Sequence, residues 1–430
     1  VVTTDRHRPL GPSRRSLLGG AALGALALGL AGCGSGGRSE LSLYQSKREA
    51  VAYFRELIKS FNAEQDGRIR VVHDTVPDSL AAKFARSDPP SLGLLNYNYE
   101  MAAYQERGEL SDVSDLLPEA NIRPAVMDLV DQYPTYPGRT SVIPYSMMGA
   151  AVLYNREIFA RHGLEVPTTY SAFIETCGVL QQAGVTPIYM THGDPWTASQ
   201  GLLDYAIGGS IDVAGFFEDL RAQGADGGPD AEVSFSRAFR EPLEKALEIN
   251  EFRNADAASR KYGNGNVAFA NGQAAMYFQG PWALTEIDTA NPDTDFGFFP
   301  LPMTEDPGEL RIRANLDLAL WIPEGVPDPD AARELLRYLI APEIADDYNA
   351  KNLGFGVRED SPVTSDPRLQ DLQGYVDRAA YYQGVSISIP RTIPYENYAQ
   401  GIATGQSLEA TLRTLDEDWV RLARRQKPRE

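Results

Sequence analysis

The apolar positions of this chain follow two alternating periods. Residues 40–44 alternate apolar and polar side chains and predict a strand. Residues 47–62 place Ala50, Phe54, Leu57, Ile58 and Phe61 on one face and predict an amphipathic helix. Residues 68–73 read as a second strand, and 91–96 as a short apolar run ending in Asn96-Tyr97-Asn98. A long extended stretch follows at 142–155, interrupted by Pro144. Helices are predicted at 157–162 and 171–183, a strand at 185–190, a loop at 224–229 and a helix at 237–252. Amphipathic helices at 331–339 and 407–425 close the chain, and the basic stretch 421–429 predicts a frayed end. Strands alternating with helices of this size predict an α/β fold with mostly parallel sheets.

One apolar run fits neither period. Residues 17–31 contain only Leu, Ala and Gly, fewer than the ~20 residues that span a bilayer. Arg6, Arg8, Arg14 and Arg15 precede this run, and Leu30-Ala31-Gly32-Cys33 ends it in the form of a bacterial lipobox. A basic start, a short apolar centre and small residues at the end predict a removable signal over residues 1–32. Cleavage before Cys33 would leave its thiol as the site of lipidation. Gly34-Ser35-Gly36-Gly37 would then be part of a flexible tether over residues 33–40. Ser13-Arg14-Arg15-Ser16-Leu17-Leu18 resembles the twin-arginine export signal, although adjacent arginines also occur in ordinary signals. The expected location is therefore extracytoplasmic, at a bacterial cell membrane, held through lipid on Cys33.

Charge narrows the partners. The formal net charge is −19, and residues 1–32 contribute four arginines against Asp5, so the remainder carries −22. Such a surface repels nucleic acid and anionic lipid and favours a soluble monomer. The chain has two cysteines, and with Cys33 assigned to lipid, Cys177 is expected alone in a core.

No catalytic signature emerges. The four histidines are scattered without zinc spacing, and neither a nucleophile elbow nor a phosphate loop occurs. Gly263-Asn264-Gly265 reads as a turn before a helix. Carboxylates are numerous, but nothing in the sequence selects a glycosidase pair. The expectation is a protein with no catalytic residues, no metal and no cofactor.

Several segments together resemble the solute-binding proteins of carbohydrate ABC transporters, the group of maltose-binding protein. Tyr154-Asn155-Arg156-Glu157-Ile158-Phe159, Gly163-Leu164 and Pro167-Thr168-Thr169-Tyr170 match one stretch of that family. Phe269-Ala270-Asn271-Gly272-Gln273-Ala274-Ala275-Met276 with Gly280-Pro281-Trp282 matches a second, and Phe296-Gly297-Phe298-Phe299-Pro300-Leu301-Pro302 a third. Gly405-Gln406-Ser407-Leu408 resembles the start of the closing helix. The resemblance implies two α/β lobes of the type II periplasmic-binding fold, with a ligand cleft between them. Carried onto this chain, crossings between lobes fall near Met147-Met148, Thr294-Asp295 and Gly354. The N-terminal lobe would take residues 41–147 plus 296–353, and the C-terminal lobe 148–295 plus 354–430.

A sugar needs planar amides or carboxylates for its hydroxyls and aromatic rings for its faces. The resemblance makes Trp282 the first stacking candidate, against the alternative of a core ring. Asp194-Pro195-Trp196 resembles the family's acid–proline–aromatic triplet, with Asp194 accepting hydroxyls and Trp196 stacking, or else a capped turn. Gln45 and Lys47 follow the first strand, and Asn96, Tyr97 and Asn98 follow another strand end, the usual ligand edge of open α/β sheets. The amides at 96 and 98 depart from maltose-binding protein, so maltose is not implied. Asn315 and Asp317 face either the cleft or the loop backbone. Tyr145, Phe355, Tyr381 and Tyr382 are secondary aromatic candidates, whereas Trp321 and Trp419 lie in apolar patterns that suit a core.

The expected function is a lipid-anchored receptor that captures a di- or oligosaccharide and delivers it to ABC permease subunits by hinge closure. Two other readings are open. The same fold could bind iron, for which Tyr381-Tyr382 is the motif, or a polyamine or another small solute. The third is a lipid-anchored glycoside hydrolase.

Overall fold

The computed structural model describes residues 38–77 and 79–425. The lipobox, Cys33 and most of the tether lie outside the described residues. Nine strands are paired among those described. They are β1 (Ser39–Tyr44), β2 (Ile69–Asp74), β3 (Leu92–Leu95), β4 (Ile143–Asn155), β5 (Thr186–Tyr189), β6 (Ala274–Gln279), β7 (Phe296–Phe299), β8 (Ile312–Trp321) and β9 (Tyr381–Tyr382). The predicted helices are present at Val51–Glu64, Arg156–Arg161, Tyr170–Gln182, Arg240–Asn250, Pro329–Ile340 and Leu408–Ala423.

The architecture turns on β4. Its first part pairs antiparallel with β8, from Ile143 opposite Leu320 to Ala150 opposite Arg313. Its second part pairs antiparallel with β6 and β7, beginning where Ala151 faces Gln279 and ending where Asn155 faces Phe296. One strand thus serves two sheets, and the chain crosses between lobes at Ala150-Ala151. Its residues are buried along almost the whole length, which explains a run of apolar side chains without alternation. The register shifts between Pro144 and Met147, where proline supplies no N–H to the ladder.

The first sheet has the order β2-β1-β3-β8-β4, and the second continues from β4 through β6 to β5. β1 runs parallel to β2 and β3, and β5 parallel to β6. The sheets are therefore mixed and not mostly parallel. The parallel pairs β1–β2 and β5–β6 arise where helices return the chain to the same edge, while β4 runs antiparallel to β6, β7 and β8, and β8 runs antiparallel to β3 but parallel to the short β9. The sequence resemblance puts a crossing at Thr294-Asp295. By pairing, however, β7 remains with β4 in the second sheet, and β8 makes the return. Near Gly354 a further segment meets the crossing strand: Phe355 N donates to Met147 O at 2.7 Å, and Met147 N to Phe355 O at 3.1 Å.

One core, with Phe54, Ile58, Tyr145 and Leu335, fills the first lobe. A second, with Phe173, Cys177, Phe216 and Trp419, fills the other. A third draws on strands of both sheets and holds Tyr97, Met147, Phe269 and Trp321. Cys177, Trp321 and Trp419 are thus core residues. Burial pushes the Cys177 thiol well above its ordinary pKa. No helix among the described residues is long and apolar enough to cross a membrane.

Candidate functional site

A cavity of about 620 Å³ lies beyond the end of β3 and beside β8. Asn96, Tyr97 and Asn98 reach it from the turn after β3, and Asn315 from β8. Gln200 and the segment from Ser386 to Asn397 line the opposite side. The local chain explains the geometry. Asn98 caps helix Tyr99–Glu106, its Oδ1 accepting from Met101 N at 3.1 Å, so its carboxamide nitrogen is the group left over for other partners. Tyr97 is buried, donates its backbone N–H to Leu316 O at 3.1 Å and meets Tyr133 edge-on. Across the cavity, Arg391 N donates to Glu100 Oε1 at 3.0 Å, a contact between the two walls.

A second group of residues forms an aromatic wall on the other lobe. Trp282 follows Gly280-Pro281 after β6, is half-buried, and donates from Nε1 to Gln279 Oε1 at 2.8 Å. Trp196 lies in the short helical turn Pro195–Thr197 with its ring centroid 5.1 Å from that of Tyr262. Tyr262 joins the two tryptophans, since its hydroxyl donates to Trp282 O at 3.3 Å. Asp194 Oδ2 accepts Tyr262 N at 2.9 Å, so one carboxylate oxygen holds the start of helix Tyr262–Ala270. Gly263-Asn264-Gly265 lies in the first turns of that helix and not before it. Close packing explains the glycine at 265, where a Cβ would collide with the Tyr277 hydroxyl and Thr191.

A charged cluster on the first lobe faces this wall. Lys47 pairs with Asp317 and sits 3.2 Å from Glu49. Burial alone would lower the Lys47 pKa, but Asp317 and Glu49 outweigh it and hold the ammonium above its ordinary range. Gln45 is fully buried beside it and donates to Lys47 O at 3.3 Å. Buried Oδ2 of Asp317 and Oε1 of Gln45 have no hydrogen-bond partner among the described residues. Glu49 acts on Tyr262 from across the lobes: burial, then Glu286 and Glu49, push that hydroxyl up to about 12.

The structure does not gather every candidate. Tyr145 packs against Phe54 and Tyr348 in the first-lobe core. Phe355 is buried against Met147. Tyr382 is buried with its hydroxyl towards Tyr205 O at 3.5 Å, while Tyr381 donates to Ala125 O at 2.9 Å. The adjacent tyrosines are thus committed to main-chain carbonyls. Among the described residues, no group of three or more His, Cys, Asp or Glu is placed to hold a metal ion. Sequence reasoning missed Tyr262, Gln279, Gln200 and the 386–397 wall. The only available signals were an aromatic beside a glycine-rich turn and a proline-framed polar triplet, Pro394-Tyr395-Glu396-Asn397.

Comparison with known proteins shows the family and the fold. The multiple sugar-binding protein of Streptococcus mutans is 24% identical over 308 residues, 70% of this chain and 70% of that protein. RafE from Streptococcus pneumoniae in its apo form superimposes with a TM-score of 0.74 at 17% identity, covering 90% of this chain and 99% of RafE. RafE has also been solved in complex with raffinose, at a TM-score of 0.73, 17% identity and coverage of 89% and 99%. The binding protein MsmE from Bacillus subtilis, in an open conformation, gives a TM-score of 0.74 at 16% identity, covering 90% of this chain and 98% of MsmE. These neighbours share the two-lobed fold. A family model described as bacterial extracellular solute-binding protein matches residues 45–346, and the chain belongs to that family.

Proposed function

We propose that this protein captures a neutral sugar of more than one residue between its lobes and presents it to an ABC importer. The supporting observation is the wall of partly exposed rings, Trp196, Tyr262 and Trp282, which shares the inter-lobe region with amides and a buried Lys47–Asp317 pair. Flat rings suit the C–H faces of a pyranose, while amides and carboxylates suit its rim of hydroxyls. Two of the similar proteins support this reading, the Streptococcus mutans protein by its name and RafE by its complex with raffinose. Because ligand groups come from both lobes, binding favours the closed form, and the permease would read that shape. In this reading no bond is made or broken, the body acts as a monomer outside the cytoplasm, and lipid on Cys33 keeps it at the membrane.

Calorimetry with raffinose, maltotriose and a chitooligosaccharide, paired with small-angle scattering, tests the proposal. The expected result is saturable binding of one of these sugars with a fall in radius of gyration. Absence of heat and of compaction with every sugar overturns it, and shortened oligosaccharide products would replace it with a hydrolase.

A further inference from the structure

Two polar groups that line the inter-lobe cavity, Asn315 and Ser386, have their hydrogen-bond sense set from behind by one buried ion pair. Arg313 lies on β8 opposite Ala150, at the residue where β4 changes sheets, and pairs with Tyr382 on its other side. Its Nε donates to Asp204 Oδ2 at 2.9 Å, and the two side chains are 1% and 0% exposed. The Asn315 carboxamide satisfies its neighbours with its oxygen towards this guanidinium. It then accepts from Nη1 at 2.8 Å and Nη2 at 3.2 Å, and its nitrogen donates to Ala314 O at 3.0 Å. One N–H of Asn315 is left over. Ser386 is fixed in the opposite sense. Its N–H donates to Asp204 Oδ1 at 3.1 Å, its hydroxyl proton goes to Oδ2 at 2.7 Å and its oxygen accepts from Arg313 Nη2 at 3.5 Å, so one oxygen lone pair remains for other partners. Every contact of Asp204 is a donor, so the carboxylate is the form held, although burial pushes its pKa up against Arg313 and Ser386. The chain passes without a side chain at Gly384, where a Cβ would collide with both Arg313 and Asp204.

A buried pair of this kind gains little stability over well-packed apolar residues of the same volume, because both ions must leave water. Its distinctive product is orientation. We infer that Arg313 and Asp204 are positioning residues that set the hydrogen-bond polarity of the cavity, presenting Asn315 as an N–H donor and Ser386 as an oxygen acceptor. A neutral hydroxyl meets both, accepting from one and donating to the other. A methoxy or deoxy position cannot do both. The inference rests on the sugar-binding reading and adds to it the residues that choose the group bound here.

The test is a mutant cycle read by calorimetry with raffinose, maltotriose and a chitooligosaccharide. Asn315→Ala is measured in the wild-type background and in Arg313→Met/Asp204→Leu, which removes both charges together. The double variant is expected to bind about tenfold more weakly, the scale of two lost hydrogen bonds, and Asn315→Ala is expected to cost affinity in the wild type but almost nothing in that background. An equal cost of Asn315→Ala in both backgrounds, or wild-type affinity in the double variant, overturns the inference while leaving sugar binding intact. If the double variant does not fold, Arg313→Lys serves as the background, since one ammonium cannot reproduce the fork on Asn315. The cost of Asn315→Ala should again shrink, and an unchanged cost overturns the inference. A wild type that binds none of the sugars removes the functional reading and this inference together.

Discussion

At the scale of single residues, the same side-chain type serves different ends according to what surrounds it. Trp282 and Trp321 are both tryptophans near a strand end, yet Trp321 is wholly buried and Trp282 keeps part of its ring open with its N–H anchored on Gln279. Trp282→Ala should therefore weaken sugar binding by roughly 1–3 kcal/mol, the scale of a partly buried aromatic contact, with little change in melting temperature. Calorimetry beside a thermal melt separates the outcomes, since lost stability with unchanged affinity would make Trp282 a core ring. His192 carries a different residue-scale consequence. It is buried, with Nε2 2.8 Å from Asn250 Oδ1, and burial lowers its pKa below 6.5 despite that contact. Between the lowered folded value and 6.5 the unfolded chain binds more protons than the folded one, so stability rises with pH across that window. The neutral ring's contribution is present above the window and is lost as pH falls through it. His192→Gln retains a donor for Asn250 but does not titrate. From about pH 7.5 to 5 the wild type should lose more melting temperature than this variant, and parallel curves would exclude His192 as a source of acid sensitivity.

At the scale of elements, packing between strands sets what the sequence pattern reveals. Gly93 lies opposite Trp321 in the β3–β8 pair, and the indole fills the space a Cβ would need. Gly93→Ala should cost about 1–3 kcal/mol in a denaturant melt, since neither the buried ring nor the ladder has room to move. A variant as stable as the wild type would show that the strand ends shift freely. The amphipathic helix carrying Phe54, Ile58 and Phe61 was legible because one face repeats at helical spacing. The whole of β4 was also legible as an extended run, but its double membership was not, because pairing with both Arg313 and Gln279 is a non-local fact. β7 carries the run Phe-Gly-Phe-Phe, buried at every position, so its pattern gives no hint of which sheet receives it. The site divides in the same way. Asn96 and Asn98 were legible as amides after a strand end, and Asn315 as part of a polar stretch before an apolar run, both local patterns. Ser386 and Gln200 were not, since they reach the cavity through tertiary packing of irregular or kinked segments. Asp204 and Arg313 are 109 residues apart in sequence, and no local signal links them. Tyr145, Phe355 and Tyr382 failed as candidates because an aromatic near polar neighbours reads alike whether it stacks on a ligand or packs in a core.

At the scale of the whole molecule, charge and anchor must be weighed together. After residue 32 the chain carries −22, so its body gains no electrostatic attraction to anionic lipid and is repelled by it. Each buried methylene of an acyl chain contributes about 0.8 kcal/mol, and a single chain gives only reversible binding, so stable attachment takes two hydrophobic signals. A diacylglycerol on Cys33, as the proposed function has it, would supply both chains at one residue, without a basic patch. Attachment should then depend on Cys33 alone and should hardly vary with salt, because no ion pairs with lipid are involved. In flotation assays with phosphatidylglycerol vesicles, protein recovered from a bacterial host that lipidates such cysteines should float at both low and high ionic strength. Cys33→Ser should remain at the bottom in both, while keeping the sugar affinity of the parent chain, since the cleft lies within residues 38–425. Flotation of Cys33→Ser at low salt would reveal an attraction that the net charge does not provide, and loss of its sugar binding would tie the anchor to the cleft in a way this fold does not require.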